Sequence, residues 1–193
     1  MSSILVIPRS ACPELPEAGV WPFTAWPDTV CWLPRDQAEQ DENFLQIIPY
    51  AVITHACGDI WCYRRTGGDA RLTDRHSCGV GGHVDRADER SDVATTIITA
   101  LRREVAEELA IELPENRPLF PLGWIHENRT PIGRVHLGLV FELSWTAPFA
   151  PEPVVGEALH DLGFLRPGHI LADSRFEHWS HLALQLIESR HEP

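Results

Sequence analysis

The segment Arg103-Glu104-Val105-Ala106-Glu107-Glu108-Leu109 sets three carboxylates on one side of a helix. Each residue of an α-helix advances about 100°, so Glu104, Glu107 and Glu108 fall within an arc of roughly 100°. Like charges at these spacings repel by a few tenths of a kcal/mol per pair. The helix is predicted to stop near Leu109 to Ile111, so Glu107 and Glu108 also lie at its negative dipole end. A bound divalent cation turns this arrangement from unfavourable to favourable. The pattern is that of a metal-dependent enzyme.

The elements around it follow from periodicity. Val93, Ile97, Leu101, Val105 and Leu109 recur every fourth residue and form the buried stripe of that helix, capped by Ser91 or Asp92. Ahead of it runs a glycine-punctuated stretch, Ser77-Cys78-Gly79-Val80-Gly81-Gly82-His83, which follows turn-rich residues 66–74. Strands are predicted over 4–7, 44–54, 60–64, 119–126, 135–144 and 159–165, with Pro49 as a break or bulge in the second. Residues 174–189 form a final amphipathic helix. Between Cys12 and Pro34 lie Pro13, Pro16, Pro22 and Pro27, with Trp21, Trp26 and Trp32. That density of proline precludes a long helix or a central strand. The tryptophans pack on the chain's own core or on a partner chain. Strands around one long helix, with a second helix at the end, define an α/β or α+β layered fold.

The whole chain narrows the function further. Its 193 residues suit one domain with an appended segment, and 44% hydrophobic content suffices for a core. A formal charge of −12 leaves no surplus of cations for a nucleic-acid polymer. It still permits a small polyphosphate neutralised by metal ions. Cys12, Cys31, Cys57, Cys62 and Cys78 include no CxxC pair, so reduced thiols are expected rather than a disulfide framework or zinc finger. His178 and His181, three residues apart, read as surface histidines, and no HExxH motif occurs. The glycine stretch matches neither a P-loop nor a dinucleotide fingerprint. The N-terminal apolar run is too short for a signal peptide and no segment is long enough to span a membrane, so a soluble, cytoplasmic protein is expected.

Gly81-Gly82, an acidic turn and Arg103-Glu104-Val105-Ala106-Glu107-Glu108 together resemble the Nudix box of the MutT-like pyrophosphohydrolases. That box runs Gly, five residues, Glu, seven residues, then Arg-Glu-aliphatic-any-Glu-Glu-any-Gly-aliphatic. Here seven extra residues separate Gly82 from Arg103, close to two helical turns, which keeps the carboxylates in phase. The first acidic position falls on Asp88 or Glu89. Ala110 replaces the late Gly, so the helix exit is expected to differ.

The resemblance implies an α/β/α sandwich with a mixed β-sheet over residues 44–193, and sets residues 1–43 apart as a Pro/Trp-rich N-terminal extension. It implies that Glu104, Glu107 and Glu108 hold Mg²⁺, with Mn²⁺ as substitute, and that Gly82 adds a backbone carbonyl. Arg103 orients a neighbouring Glu, and one Glu takes the proton of the attacking water. The implied reaction is hydrolysis of a nucleoside diphosphate linked to another group, by water attack on phosphorus. A later-loop acid is expected from Glu152 or Glu157, with Glu142 inside a strand. Arg64, Arg65, Asn128 and Arg129 are the expected substrate contacts, with His136 beside them. Other readings are an inactive nucleotide-binding module and a small-diphosphate isomerase using Cys78. The tryptophans near the N-terminus allow a homodimer. The substrate is not identified by the box, which all members share.

Overall fold

The computed structural model describes residues 2–12, 17–67 and 72–191. Pro13 and Pro16, and residues 68–71 of the turn-rich stretch, lie outside the described residues. The described strands are β1 (Ser3–Pro8), β2 (Ala18–Pro22), β3 (Cys31–Pro34), β4 (Phe44–His55), β5 (Ile60–Arg65), β6 (His76–Ser77), β7 (Gly79–Gly81), β8 (Pro121–Glu127), β9 (His136–Trp145) and β10 (Leu159–Leu165). The helices are α1 (Arg35–Ala38), α2 (Val93–Leu109), α3 (Pro167–Ala172) and α4 (His178–His191). All of these strands belong to one mixed sheet.

β4 is its axis. It runs parallel to β9, from Gln46 opposite His136 to His55 opposite Trp145. Its other edge is divided among three antiparallel partners: β1 at residues 44–46, β7 at 50–52 and β5 at Thr54. Pro49 falls in the gap between β1 and β7 and lies opposite Leu139 of β9. A residue without an N–H costs little in a gap, so the strand continues where a break was expected.

Being flanked on both edges and both faces, β4 carries a nearly unbroken apolar run. Its odd residues Leu45, Ile47, Ala51 and Ile53 meet Ile97, Leu101, Val105 and Leu109 of α2. Its even residues Tyr50 and Val52 meet Leu182, Ala183, Leu186 and Ile187 of α4, together with Ile125 and Val140. The period-2 alternation of a strand serves two helical layers at once, giving the expected α/β/α sandwich.

α2 begins where Asp92 accepts the Thr95 N–H at 2.7 Å. It ends at Ala110, which adopts the left-handed conformation (φ 52°, ψ 28°) and donates to the Ala106 carbonyl at 3.0 Å. The exit is therefore the one a glycine would make, taken by an alanine at a strain of about 1 kcal/mol. The C-terminal helix begins at His178 rather than Ser174, and α3 before it was not expected from the sequence.

The N-terminal residues join the same sheet. β1 lies between β3 and β4, and the Leu5 N–H reaches the Val84 carbonyl at 2.9 Å. Among the described residues β2 pairs with β8 and β3 with β1, both at sheet edges, where terminal Pro22 and Pro34 are tolerated. Trp26 and Trp32 pack half-buried on the α2-side core. No described helix is long and apolar enough to cross a membrane.

Candidate active site

The glycine turn and the second half of α2 meet face to face. A Cβ on Gly81 would run into the Pro49 carbonyl of β4, and one on Gly82 would overlap the Glu104 carboxylate. Arg103 sits at the centre of the acidic groups. Its Nε donates to Asp88 Oδ1 at 3.0 Å and its Nη2 to Asp88 Oδ2 at 2.9 Å. Nη2 also reaches the His83 carbonyl at 2.9 Å, tying α2 to the residue after Gly82. Nη1 divides between Glu104 Oε1 at 2.7 Å and Glu107 Oε2 at 2.9 Å. Of the two acids open for the first box position, Asp88 is buried against Arg103, while Glu89 faces solvent and pairs with Arg86 at 3.1 Å.

The three glutamates differ in environment. Glu107 is 55% exposed. Glu104 is largely buried, and desolvation raises its carboxyl above the ordinary value although Arg103 pulls the other way. Burial pushes Glu108 up to about 8, against the opposing charge of Arg65 and with help from Glu104 and Glu157. Glu108 Oε2 is buried and has no hydrogen-bond partner.

Glu104 and Glu108 open onto a cavity of about 690 Å³. Arg65, Arg75 and Glu177 line another part of it, with Tyr50, His178 and Trp179 nearby and Ile132 and His136 at the β8–β9 side. Arg65 lies 5.6 Å from the Tyr63 ring and 3.9 Å from Glu177 Oε2, and its Nε lacks a hydrogen-bond partner. Neighbouring Tyr63 and Glu177 keep its guanidinium firmly charged against the cost of burial.

The expected substrate contacts divide. Arg65 and His136 line the cavity. Arg64 projects to the other side of β5 and pairs with Asp74 at 3.2 Å, as the alternation of a strand requires. Asn128 and Arg129 are exposed and do not line the cavity, and Arg129 pairs with Glu17 at 3.3 Å. Among the later acids, Glu142 pairs with Arg190 at 2.7 Å away from the cavity, and Glu152 is exposed. Glu157 acts electrostatically on Glu108, and the same loop supplies the Val154 N–H to the Glu108 carbonyl at 2.8 Å.

Several lining residues gave no sequence signal. Glu177 accepts from Tyr50 Oη at 3.1 Å and from the Ser77 hydroxyl, joining α4's entrance to β4 and β6. Glu127 is buried and accepts the N–H groups of Arg129 and Thr130 at 2.7 and 3.0 Å. His178, expected at the surface, is half-buried with Nε2 unpartnered. Cys78 is buried, accepts no role in the cavity lining, and is pushed up to about 12 by desolvation while its N–H is held by Ser180 at 3.1 Å. A thiol so placed is a poor nucleophile, which weighs against the isomerase reading.

The donor set suits a hard divalent cation. Glu108 brings a buried oxygen without a partner, and Gly82 leaves beside Glu104 the room a Cβ would fill. Fold and box together point to one class: the chain has the fold of the Nudix hydrolases, enzymes of phosphoric anhydride bonds, and carries a box similar to theirs. No family model matches the chain. Protein YmaB of Bacillus subtilis is 29% identical over 159 residues, which make up 80% of this chain and 76% of YmaB. The crystal structure of Tm1382, a Nudix hydrolase by its description, is 26% identical with a TM-score of 0.75, covering 97% of this chain and 99% of Tm1382. On fold alone, the Nudix domain of Shewanella oneidensis NrtR, solved with ADP ribose, is similar at 12% identity and a TM-score of 0.58, covering 77% of this chain and 89% of that one.

Proposed function

We propose that the cavity hydrolyses a nucleoside diphosphate linked to another group, with Mg²⁺ held by Glu104, Glu107 and Glu108 and by the Gly82 carbonyl. The carrying observation is the unpartnered, buried oxygen of Glu108, on a cavity that Glu104 and the charged Arg65 also line. When bound, Mg²⁺ would offset charge on the phosphoryl oxygens and acidify the attacking water. Arg103 holds Glu104 and Glu107 in place through its two short hydrogen bonds. Glu108, the most desolvated of the three, is the group suited to take the proton of the attacking water. Arg65 is placed to bind a phosphate oxygen, and Trp179 offers aromatic surface to a base or sugar. In this reading the box belongs to residues 44–193, and residues 1–43 support it and add Arg35 and Glu39 to the cavity wall. The ADP ribose bound by NrtR supports a nucleoside diphosphate as the substrate class.

A panel of nucleotide sugars, ADP ribose and dinucleoside polyphosphates, incubated with Mg²⁺ or Mn²⁺, tests this directly. Release of a nucleoside monophosphate is expected for at least one member. Reaction in ¹⁸O-labelled water should place the label on a phosphate product. Glu108→Gln should lower turnover at least about a hundredfold with the fold intact. Near-normal turnover in that variant would overturn the assignment, and Arg64→Ala, away from the cavity, serves as the control.

A further inference from the structure

Another set of donors lines the same cavity and takes no part in the chemistry above. Glu39 follows α1, His83 follows the glycine turn and His136 opens β9, yet their donor atoms lie within 4.8 Å of one another. Among the described residues this is the one group of three or more His, Cys, Asp or Glu side chains that converges so closely.

The spacing is that of ligands rather than of neighbours. Nε2 of His83 and Nε2 of His136 are 3.3 Å apart. Two imidazole nitrogens bound at about 2.05 Å to one tetrahedral ion would stand roughly 3.3 Å apart. Nδ1 of His136 lies 2.8 Å from the Ile132 carbonyl, which places its proton there and turns the lone pair of Nε2 toward His83. Gln46, wholly buried in an otherwise apolar strand, donates its amide to the Ala38 carbonyl at 3.3 Å. That bond aims Oε1 at His83 Nε2, 2.8 Å away. Two acceptors therefore converge on a nitrogen that has a single proton to give. A cation in place of that proton would lie within reach of both imidazoles and the Glu39 carboxylate together.

We infer that Glu39, His83 and His136 form a separate metal site for a transition ion of the zinc class. Imidazole nitrogens suit Zn²⁺ and its neighbours, whereas Mg²⁺ prefers oxygen and gains little from them. A hydrogen bond from the far ring nitrogen to a backbone carbonyl, as His136 makes to Ile132, is of the kind that orients metal-binding histidines. Arg35 pairs with Glu39 at 3.8 Å from a half-exposed position, so its guanidinium can turn to solvent as an ion enters. His83 adjoins Gly82 in the chain, so oxygen-rich and nitrogen-rich donor sets stand on two sides of one turn.

Metal binding is read independently of any hydrolysis. Chelator-stripped full-length protein titrated with Co²⁺ should show the visible bands of a low-coordinate nitrogen-ligated ion, at one equivalent. Zn²⁺ should displace the Co²⁺, and millimolar Mg²⁺ should not. Glu104→Gln/Glu108→Gln protein should retain the signal. His83→Ala and His136→Ala should weaken binding at least about a hundredfold, the upper end of what loss of an outer-shell partner alone costs. Glu39→Ala, a change at a partly exposed residue that leaves the core alone, checks the result where a histidine variant fails to fold. Retention of the bands in Glu39→Ala and the folded histidine variants, their loss in the glutamine pair, or no spectral change in wild type would each overturn the assignment.

Discussion

Arg103 grips the carboxylate of Asp88 with two parallel hydrogen bonds, at 3.0 and 2.9 Å, although fifteen residues separate them in the chain. Asp88 is 2% exposed, so the pair is nearly desolvated at its acidic end. Arg103→Ala would strand that charge, at a cost of about 3 kcal/mol. Urea denaturation should show the loss, and adding Asp88→Asn in the same chain should recover part of it. Equal stabilities for the single and double variants would mean that Asp88 does not depend on Arg103.

The two glycines of the turn should fail differently. Gly81→Ala sets a Cβ against backbone, the Pro49 carbonyl, and is expected to destabilise the fold. Gly82→Ala sets it against the flexible end of Glu104, so the chain should fold with near-normal melting while turnover falls. Circular dichroism and steady-state rates measured on both variants distinguish the outcomes. An active, stable Gly82→Ala protein would remove Glu104 from the reaction.

Glu108 makes the metal-free protein pH-sensitive in a defined direction. Its folded carboxyl is raised from 4.5 to about 8, so the folded state keeps a proton that the unfolded chain releases. Stability should therefore fall as pH rises from about 4.5 to about 8, with a slope of at most ~1.4 kcal/mol per pH unit from this group. Denaturation in EDTA across that range should show the decline, and Glu108→Gln should flatten it. A divalent cation should flatten it as well, by stabilising the ionised form.

Ala110 carries left-handed strain at the end of α2. Ala110→Gly should stabilise the protein by about 1 kcal/mol, or roughly 2–4 °C in Tm for a chain of this size. A lower Tm would mean that the alanine side chain contributes packing worth more than the strain.

Much of this arrangement was legible because it is local. The carboxylate face of α2, its buried stripe and its end at Leu109 all follow from a period near 3.6 within one segment. The ends of β4, β5, β8, β9 and β10 fell within about two residues of the hydrophobic runs. Alternation within a strand could also have separated Arg65 from Arg64, since Arg65 shares a face with buried Tyr63. The rest is non-local. Glu177 reaches Tyr50 across 127 residues, and Glu39, His83 and His136 meet only once β4, β7 and β9 are paired. Gln46 offered a faint signal, a polar residue in an apolar strand, visible as a question without its answer. β2 and β3 were obscured by the prolines that confine them to edges.

β1 fastens two things at once: residues 6–8 ladder onto 44–46 of β4, and Leu5 reaches Val84, two residues beyond Gly82. Trimming the chain to Phe44 would bare that stretch of β4 and leave a row of backbone groups without partners. Such a rim recruits strands from other molecules. The outer brace of the glycine turn would go with it. The segment that reads as an appendage thus acts as a seal, and a shortened chain would face self-association before catalysis became its concern.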